Sequence, residues 1–206
     1  MFLAGLEGYN ERMAGSENVK PSSPGVKLTY EDYVLFPEDG KRHELIDGEH
    51  YVTPTPIRKH QAIVTNLSGL IWSYLQQHPI GRVYGAPLDV ILSNHDVVEP
   101  DLLYISNDRA QRLEPSPWVK GAPDLTVEVG SPSTRRRDET IKKRIYERFG
   151  VQEYWIVDPD IDSIKVFRRI NDRYERVAEL FLENDDVLTT PLLPGLELKL
   201  AKIFED

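Results

Sequence analysis

Cysteine is absent from the 206 residues of this chain, and so is any long apolar run. Without cysteine the chain can form neither disulfides nor thiolate metal sites. A membrane-spanning helix needs roughly 18 consecutive apolar residues, and no stretch approaches that length. The amino-terminal MFLAGLEGYNERM lacks a basic region followed by a long apolar core, so we expect no signal peptide. These absences predict a cytoplasmic protein that has no membrane partner.

The common cofactor and hydrolase motifs are missing as well. The sequence contains no GxGxxG or GK[ST] phosphate loop and no GxSxG nucleophile elbow. Its 5 histidines are scattered, without HExxH or another zinc spacing. The formal net charge of −9 gives no global attraction to nucleic acid, so contact with phosphate would need a local basic patch.

The composition, 40% hydrophobic and 29% charged, is typical of a globular protein with one substantial core. Residues 1–26 show little periodicity and lead into the Pro/Ser/Gly-rich PSSPGVK, which predicts a flexible amino-terminal extension. Residues 27–206 are predicted to form a single α/β domain.

The stretch from Asp124 to Pro159 predicts a strand, a helix and a second strand. Apolar residues alternate with polar ones over 125–129, and a helix then runs to Phe149, where Gly150 ends it. A second strand follows over 154–157. Short joins in such a βαβ unit make its two strands parallel.

The inner face of this helix carries two charged residues. At about 100° per residue, Asp138 and Lys142 fall within an apolar arc formed by Ile141, Ile145, Tyr146 and Phe149. A lysine inside an apolar stripe needs a partner or a task. We therefore predict that Lys142 points inward and that Lys143 points to solvent.

Weaker patterns predict the remaining elements. They are a short helix from Thr29, hairpins turning at Asp47-Gly48 and Asn171-Asp172, a helix of about twenty residues ending at His78-Pro79, partner strands over 83–92 and 97–105, and a last strand-like piece within 192–203. His60 lies at the start of the long helix. It is predicted either as a capping or core histidine or as a residue that lines a site.

Two acids on neighbouring strands suggest a metal site. Asp101 begins one strand after a proline, and Glu128 interrupts the apolar row of another. If these strands pair, hard oxygen ligands without histidine or cysteine favour Mg²⁺ or Mn²⁺. The alternative is that each acid simply faces solvent from a half-buried strand.

These residues also carry a family resemblance. Pro100-Asp101 followed by Glu128 resembles the PD-(D/E)XK signature of the restriction-endonuclease-like superfamily. Five blocks resemble the Uma-two family of predicted endonucleases over roughly residues 28–200: HELIDGE, VVEPDLLYIS, APDLTVEVGSPST, the Asp138 and Lys142 pair, and GVQEYWIVDP. The resemblance implies a restriction-endonuclease-like core, a mixed twisted β-sheet flanked by helices.

The resemblance also implies roles for individual residues. Asp101 and Glu128 would bind the metal together with the main-chain carbonyl of Val129, and Glu44 would supply an extra acid. The superfamily lysine normally lies two residues after the second acid, where this chain has Gly130. Lys142 would be its replacement, moved onto the following helix.

The expected function is that of a divalent-metal-dependent endonuclease that hydrolyses phosphodiester bonds in DNA and is assembled as a homodimer. The alternative is a catalytically inactive nuclease-fold module that binds nucleic acid or protein. In a third interpretation Asp138 and Lys142 form a buried structural ion pair. The basic residues 135–137 and 142–144 either bind phosphate or form a solvated helix face that balances nearby acids.

Overall fold

Two large β-sheets, a separate pair of short strands and the helices around them make up the described part of the chain, residues 26–131 and 133–205 of a computed structural model. Nearly all of the expected flexible extension lies outside these residues, so its flexibility stays a prediction, as does the single-domain division. No helix in the described part is both long and apolar enough to cross a membrane.

The first sheet has five strands in the order β2-β1-β5-β4-β7. Its strands are β1 (Arg42–Ile46), β2 (Glu49–Thr53), β4 (Val90–Ser93), β5 (Asp96–Val98) and β7 (Val119–Lys120). β4 and β7 are parallel, and the other neighbours are antiparallel. Asp47 and Gly48 both have positive φ between β1 and β2, which confirms the predicted tight hairpin turn.

The second sheet has six strands in the order β11-β10-β9-β8-β6-β3. Its strands are β3 (Gly81–Gly85), β6 (Leu102–Ser106), β8 (Leu125–Val129), β9 (Glu153–Asp158), β10 (Ser163–Ile170) and β11 (Arg173–Phe181). β8 and β9 are parallel, which confirms the predicted βαβ unit. Two short strands, β12 (Val187–Leu188) and β13 (Leu198–Lys199), pair separately. The predicted mixed sheet flanked by helices is therefore confirmed.

Most helices are short. They are α1 (Tyr30–Tyr33), α2 (Arg58–Gln77), α3 (Asn107–Ala110), α4 (Arg135–Arg137), a π-helix (Asp138–Lys142), α5 (Lys143–Phe149), a 3-10 turn (Leu182–Asn184) and α6 (Leu200–Ile203). The predicted twenty-residue helix is α2, and Gly150 ends α5 with a positive φ, as expected. The helix before Phe149 is not uniform, because its middle turn is π-helical.

The partner strands predicted over 83–92 and 97–105 are wrong in their extent. Each splits in two: β3 pairs with β6 in one sheet, while β4 pairs with β5 in the other. Proline lacks the N–H that a strand ladder needs, and Pro87 and Pro100 lie in the two breaks. The two sheets therefore diverge at Asp101, directly before β6.

The predicted strand-like tail is also largely wrong. Within 192–203 only Leu198–Lys199 is a strand, and α6 follows at once. Leu200 and Ile203 of α6 are fully buried in the cluster that also holds residues of α2. Residues three apart share one face of a helix but point to opposite faces of a strand, so burial of both Leu200 and Ile203 in one cluster suits the helix.

Both faces of the six-stranded sheet are covered. On one face Ile63, Leu67 and Ile71 of α2 pack in the cluster that contains Leu102 and Val127. On the other face, Ile145 and Tyr146 of α5 belong to the cluster that contains Leu103, Ile105 and Ile156. Side chains alternate along a strand. Glu128 therefore faces the α5 side, where Lys142 also lies.

Candidate active site

Four predicted site residues lie on four different elements that meet where the two sheets diverge. Glu44 lies on β1, Asp101 directly before β6, Glu128 on β8 and Lys142 at the end of the π-helix. All four are buried, Glu44 completely. Ionised side chains are rarely buried without a partner, so each needs one nearby.

Lys142 lies between two carboxylates. Its Nζ atom is 2.7 Å from Glu44 Oε1 and 2.9 Å from Glu128 Oε1, and only 1% of the residue is exposed. Burial alone lowers the pKa of Lys142, but Glu128 and Glu44 outweigh it and raise that pKa above its ordinary value. The lysine is therefore held in its charged form.

The inward direction predicted for Lys142 agrees with this geometry, but its predicted partner does not. The hydrogen-bonding partners of its ammonium are Glu44 and Glu128, so the interpretation as a simple Asp138–Lys142 pair is wrong. Asp138 is close enough to raise the pKa of Lys142, and its own Oδ1 is buried without a hydrogen bond. Both residues lie in the π-helix, and such turns occur frequently at functional sites.

The prediction that Lys143 points to solvent is only half right. Its Nζ lies 4.1 Å from the centre of the Phe167 ring, and the residue is half-buried. A cation over an aromatic face is stabilised by the quadrupole of the ring. Lys143 therefore packs on the protein surface, away from the buried acids.

Glu128 accepts a second hydrogen bond, from the hydroxyl of Tyr146 at 2.7 Å. Burial raises the pKa of Glu128, Lys142 opposes that effect, and the negative charges of Asp138, Asp101 and Glu44 add to it. Together these effects raise the pKa of Glu128 to about 8. No local pattern predicts the contact with Tyr146, whose place in the apolar arc indicates only a packed side chain.

Asp101 is surrounded by hydrogen-bond donors. Its Oδ1 lies 2.5 Å from Nη1 of Arg42, and its Oδ2 lies 3.2 Å from Nε2 of His60 and accepts the Val129 N–H at 2.7 Å. Burial raises the pKa of Asp101, but the bonds from His60, Arg42 and Val129 outweigh it and hold that pKa well below its ordinary value. Asp101 is therefore ionised across the whole neutral range.

Asp101 directly precedes β6, the strand that pairs with the strand carrying Glu128. β6 pairs with β8 so that Leu102 is opposite Val127, and one further step along this antiparallel register places Asp101 opposite Glu128. The Asp101 charge is one of the causes that raise the pKa of Glu128. The predicted convergence of the two acids on one metal ion stays a prediction.

His60 belongs to this site, because its ring contacts Asp101 rather than capping α2 through its side chain. The interpretation of His60 as a site-lining residue therefore agrees with the geometry. Its Nδ1 atom is buried and has no hydrogen-bond partner in the described part of the chain.

Arg42 is a site residue that the sequence did not reveal. Besides Asp101, it donates to the main-chain carbonyl of Glu99, and its Nε lies 3.6 Å from Glu99 Oε2. Burial raises the pKa of Glu99 to about 7, with Arg42 opposing and Asp89 and Glu44 adding to that effect. Arg42 lies far from these partners along the chain, and no local pattern predicts such contacts.

Glu44 also ties neighbouring elements to the site. Its Oε1 accepts the Glu99 N–H at 3.0 Å, and its Oε2 lies 3.4 Å from Nη2 of Arg137. Burial raises the pKa of Glu44, but Lys142, Arg137 and Arg42 together lower it below its ordinary value. Glu44 is therefore an ionised acid in the middle of three cations.

The basic residues of 135–137 and 142–144 are mostly used within the protein. Arg135 pairs with Asp158 and Asp160 at 2.7 and 2.6 Å, and Arg137 donates to Thr53 besides approaching Glu44. Arg136 and Arg144 remain exposed. The predicted phosphate-binding patch is therefore reduced to these two arginines, and contacts within the protein account for the others.

The metal ligands predicted from the sequence are not arranged as a ready site. Within residues 26–131 and 133–205, no group of three or more histidine, aspartate or glutamate side chains is placed to hold a metal ion. Protein donors already bind both oxygens of Asp101 and one oxygen of Glu128. The metal-binding role of the Val129 carbonyl stays a prediction.

Comparison with known proteins places the chain in a family. A family model described as "Uma2: Putative restriction endonuclease" matches residues 30–201. This chain belongs to that family. Its match covers every residue of the buried charged cluster described above.

Two further proteins are similar to this member of the Uma2 family. "Uncharacterized protein slr1290" of Synechocystis sp. (strain ATCC 27184 / PCC 6803 / Kazusa) is 28% identical over 155 residues, which are 74% of this chain and 80% of that protein. A crystal structure from Anabaena variabilis ATCC 29413, titled as a putative nuclease belonging to DUF820, superposes with a TM-score of 0.72 at 25% identity. That match covers 86% of this chain and 97% of the other.

Proposed function

We propose that this protein is a divalent-metal-dependent endonuclease that hydrolyses phosphodiester bonds, with DNA as its substrate. The observation that carries the proposal is the wholly buried Lys142 between Glu44 and Glu128. Burying several charges costs free energy that a well-packed apolar cluster would not. A catalytic role is the reason to keep such a cluster, and the family and structural similarity point to a nuclease.

The donor chemistry of the site fits Mg²⁺ or Mn²⁺. These cations prefer carboxylate, carbonyl and water oxygens, which Asp101, Glu128 and the Val129 carbonyl would supply, with Glu44 in support. The buried Oε2 of Glu44 lacks a hydrogen bond and lies 3.4 Å from Nη2 of Arg137. When bound, the metal ion would lower the pKa of a water molecule and polarise the phosphate.

Each protein group would have a distinct task in hydrolysis. A water oxygen attacks phosphorus, the bond from phosphorus to the leaving sugar oxygen breaks, and the water supplies a proton to that oxygen. Lys142 would orient the attacking water or stabilise the negative charge that develops on the phosphate. Asp101 is fixed by His60 and the Val129 N–H, so its carboxylate is pre-positioned.

Arg42 favours the second candidate function, a nuclease-fold module that binds without turnover. Its guanidinium holds one oxygen of Asp101, so a cation can use that oxygen only after Arg42 has withdrawn. A protein whose internal cations permanently neutralise its acids would have the nuclease fold without metal-dependent chemistry. Mobility of Arg42 therefore separates the two candidates.

The decisive experiment is a plasmid-nicking assay with the pure protein in Mg²⁺, in Mn²⁺ and in excess chelator. We expect nicking with either metal, none with chelator, and a loss of at least about a hundredfold in Asp101→Ala, as electrostatic groups at active sites typically contribute. The matched control is Asp108→Ala, an exposed aspartate on α3, which should keep full activity. An Asp101→Ala protein as active as the wild type would rule out the proposed site.

Assembly and location complete the proposal. We infer a symmetric homodimer, because a single small subunit offers a limited cleft for two DNA strands, and a cytoplasmic location. Light scattering over a range of protein concentrations measures the assembly. A species of monomer mass at the highest concentration would rule out the dimer.

A further inference from the structure

Four tyrosines are buried in the described part of the chain. A buried tyrosine hydroxyl needs a hydrogen-bond partner, and most side-chain hydrogen bonds go to the main chain or to water. Three of the four donate to main-chain carbonyls: Tyr104 to Ile80, Tyr154 to Asp138 and Tyr174 to Val151. Tyr146 differs from them, because its hydroxyl donates to the side chain of Glu128.

Two donors converge on one oxygen of Glu128. The Tyr146 hydroxyl lies 2.7 Å from Oε1, and the Lys142 ammonium lies 2.9 Å from the same atom. The last torsion of a glutamate side chain is soft, so two donors on one oxygen fix the direction of the whole carboxyl group. The other oxygen, Oε2, accepts no hydrogen bond from any described residue and is not sealed off from solvent. Oε2 is therefore the oxygen of Glu128 that a ligand can reach.

Packing fixes the position of the Tyr146 hydroxyl. Tyr146 is fully buried on α5, and its ring centre lies 5.0 Å from that of Tyr154. The Tyr154 ring in turn lies 6.3 Å from the rings of Phe167 and Tyr174. Protein interiors are close-packed, and a tyrosine side chain has only two torsions. The Tyr146 hydroxyl therefore has little freedom to leave Glu128.

Lys142 is a less exclusive partner of Glu128 than Tyr146 is. Its ammonium also lies 2.7 Å from Glu44 Oε1, and the proposed chemistry uses its charge on the water or the phosphate. The Tyr146 hydroxyl donates to Glu128 alone among the described residues. The contact with Tyr146 can therefore last while Lys142 acts on the substrate.

We propose that Tyr146 is a positioning residue, which holds Oε1 of Glu128 so that Oε2 is directed at a divalent cation. The inference rests on the proposed nuclease function and adds a residue to its metal-binding machinery. Carboxylates that bind metal ions are held by such outer hydrogen bonds, and loss of one typically weakens metal affinity by about 10- to 100-fold. A purely structural role would satisfy a buried hydroxyl and leave metal affinity unchanged.

Calorimetric titration with Mn²⁺ tests this role in full-length Tyr146→Phe protein. Phenylalanine keeps the packed ring and removes only the donor. We expect Mn²⁺ to bind this variant about 10- to 100-fold more weakly than the wild type. Tyr174→Phe is the matched control, because it also removes a hydrogen-bonded hydroxyl from the same group of packed rings. Its Mn²⁺ affinity should equal that of the wild type.

Melting temperatures in chelator separate positioning from folding. Tyr146→Phe and Tyr174→Phe each lose one hydrogen bond in the core, so both should melt slightly below the wild type. A loss of Mn²⁺ affinity confined to Tyr146→Phe supports the proposal. Equal Mn²⁺ affinity of Tyr146→Phe and the wild type overturns it. A loss of the same size in Tyr174→Phe also overturns it, because general loosening of the core would then explain both.

The metal dependence of plasmid nicking gives a second readout. Positioning predicts that Tyr146→Phe needs about 10- to 100-fold more Mn²⁺ for half of its maximal rate and recovers most of the rate at saturating Mn²⁺. A rate that stays low at saturating Mn²⁺ overturns positioning in favour of a direct role in the reaction.

The wild type keeps this inference separate from the proposed function. If the wild type binds Mn²⁺ and nicks plasmid, and Tyr146→Phe matches it at every Mn²⁺ concentration, only the role of Tyr146 fails. If the wild type neither binds Mn²⁺ nor nicks plasmid, the nuclease proposal fails and the role of Tyr146 fails with it.

Discussion

The Nζ atom of Lys142 lies 2.7 Å from Glu44 Oε1, which joins the π-helix over the six-stranded sheet to a strand of the five-stranded sheet. The same ammonium reaches Glu128 on β8. One buried lysine thus links the two sheets at the place where Pro100 separates them. Its removal should affect stability as well as chemistry.

Lys142→Ala should lower the free energy of unfolding by about 3–5 kcal/mol, because it leaves buried carboxylates without their cation. Lys143→Ala removes only a cation above the Phe167 ring and should cost about 0.5–1 kcal/mol. Urea denaturation followed by circular dichroism compares the two. Equal losses of unfolding free energy in the two variants would contradict the expected stabilising role of the buried Lys142 ammonium.

The two variants should also differ in nicking rate, measured where both proteins are fully folded. Lys142→Ala should lose activity by at least about a hundredfold if its charge stabilises the reacting phosphate. Lys143→Ala should keep most of its activity and at most bind substrate less tightly at higher salt. Lys142→Ala with full activity per folded molecule would leave Lys142 a structural role alone.

Arg42→Gln should strengthen Mn²⁺ binding by about tenfold or more, because it removes a cation that competes for Asp101 Oδ1. Arg109→Gln is the matched control. Arg109 is a similarly half-buried arginine, 3.0 Å from buried Asp124, outside the site. Isothermal titration calorimetry measures both variants. Weaker Mn²⁺ binding in Arg42→Gln would instead mean that Arg42 positions Asp101 for the metal.

The titration of Glu99 should make the folded protein less stable as pH rises. Its pKa is raised from 4.5 to about 7 in the folded protein, so between these values the folded state binds a proton that the unfolded chain has lost. The stabilisation is complete below pH 4.5 and is lost as pH rises through about 7. The wild type should lose on the order of 2 kcal/mol of unfolding free energy between pH 5 and 8 because of Glu99. The Glu99→Gln variant cannot ionise at this position and should not show that loss.

Melting temperatures in chelator at pH 5 and pH 8 measure the Glu99 effect. The wild type should lose more stability over this interval than Glu99→Gln does. Glu183→Gln, an exposed control, should follow the wild type. Parallel curves for wild type and Glu99→Gln would show that Glu99 is ionised throughout.

Local patterns predicted the elements of this fold better than their breaks. The hairpin at Asn171-Asp172 has positive φ at both residues, as the sequence indicates. In contrast, the apolar runs around Pro87 and Pro100 look like continuous strands, because alternation does not show which sheet a segment joins. The choice between the sheets depends on long-range pairing partners.

The site was predictable in part for the same reason. Helix phase correctly predicts that Lys142 is buried. The single π-helical turn changes the angle per residue, but over five residues it rotates the Lys142 side chain only moderately from its α-helical direction. Arg42 and Glu44 both lie on β1, so their contacts with Asp101 and Lys142 form only when β1 packs beside the elements that carry those residues. No local spacing in the sequence encodes that packing. The prediction of Glu44 as a site residue rests on family resemblance, because its neighbours in the sequence carry no such signal.

The triple variant Glu44→Gln, Lys142→Met, Glu128→Gln tests whether the buried charges serve stability or function. Glutamine can still accept the bonds from the Glu99 N–H and the Tyr146 hydroxyl, while the charges of Glu44 and Lys142 and the ionisable carboxyl of Glu128 are gone. Replacing a buried ion network with neutral groups of similar size is often neutral or stabilising, whereas removing one member is costly. We therefore expect the triple variant to unfold within about 1–2 kcal/mol of the wild type.

Lys142→Met alone should be less stable than the triple variant by several kcal/mol, since neighbouring changes are not additive. The triple variant should have no nicking activity. Urea denaturation of the wild type, Lys142→Met and the triple variant provides the comparison, with Mn²⁺ titration as a further readout that should show weakened binding. A triple variant that is as unstable as Lys142→Met would assign the cluster to folding, because its charges would then stabilise the junction of the two sheets.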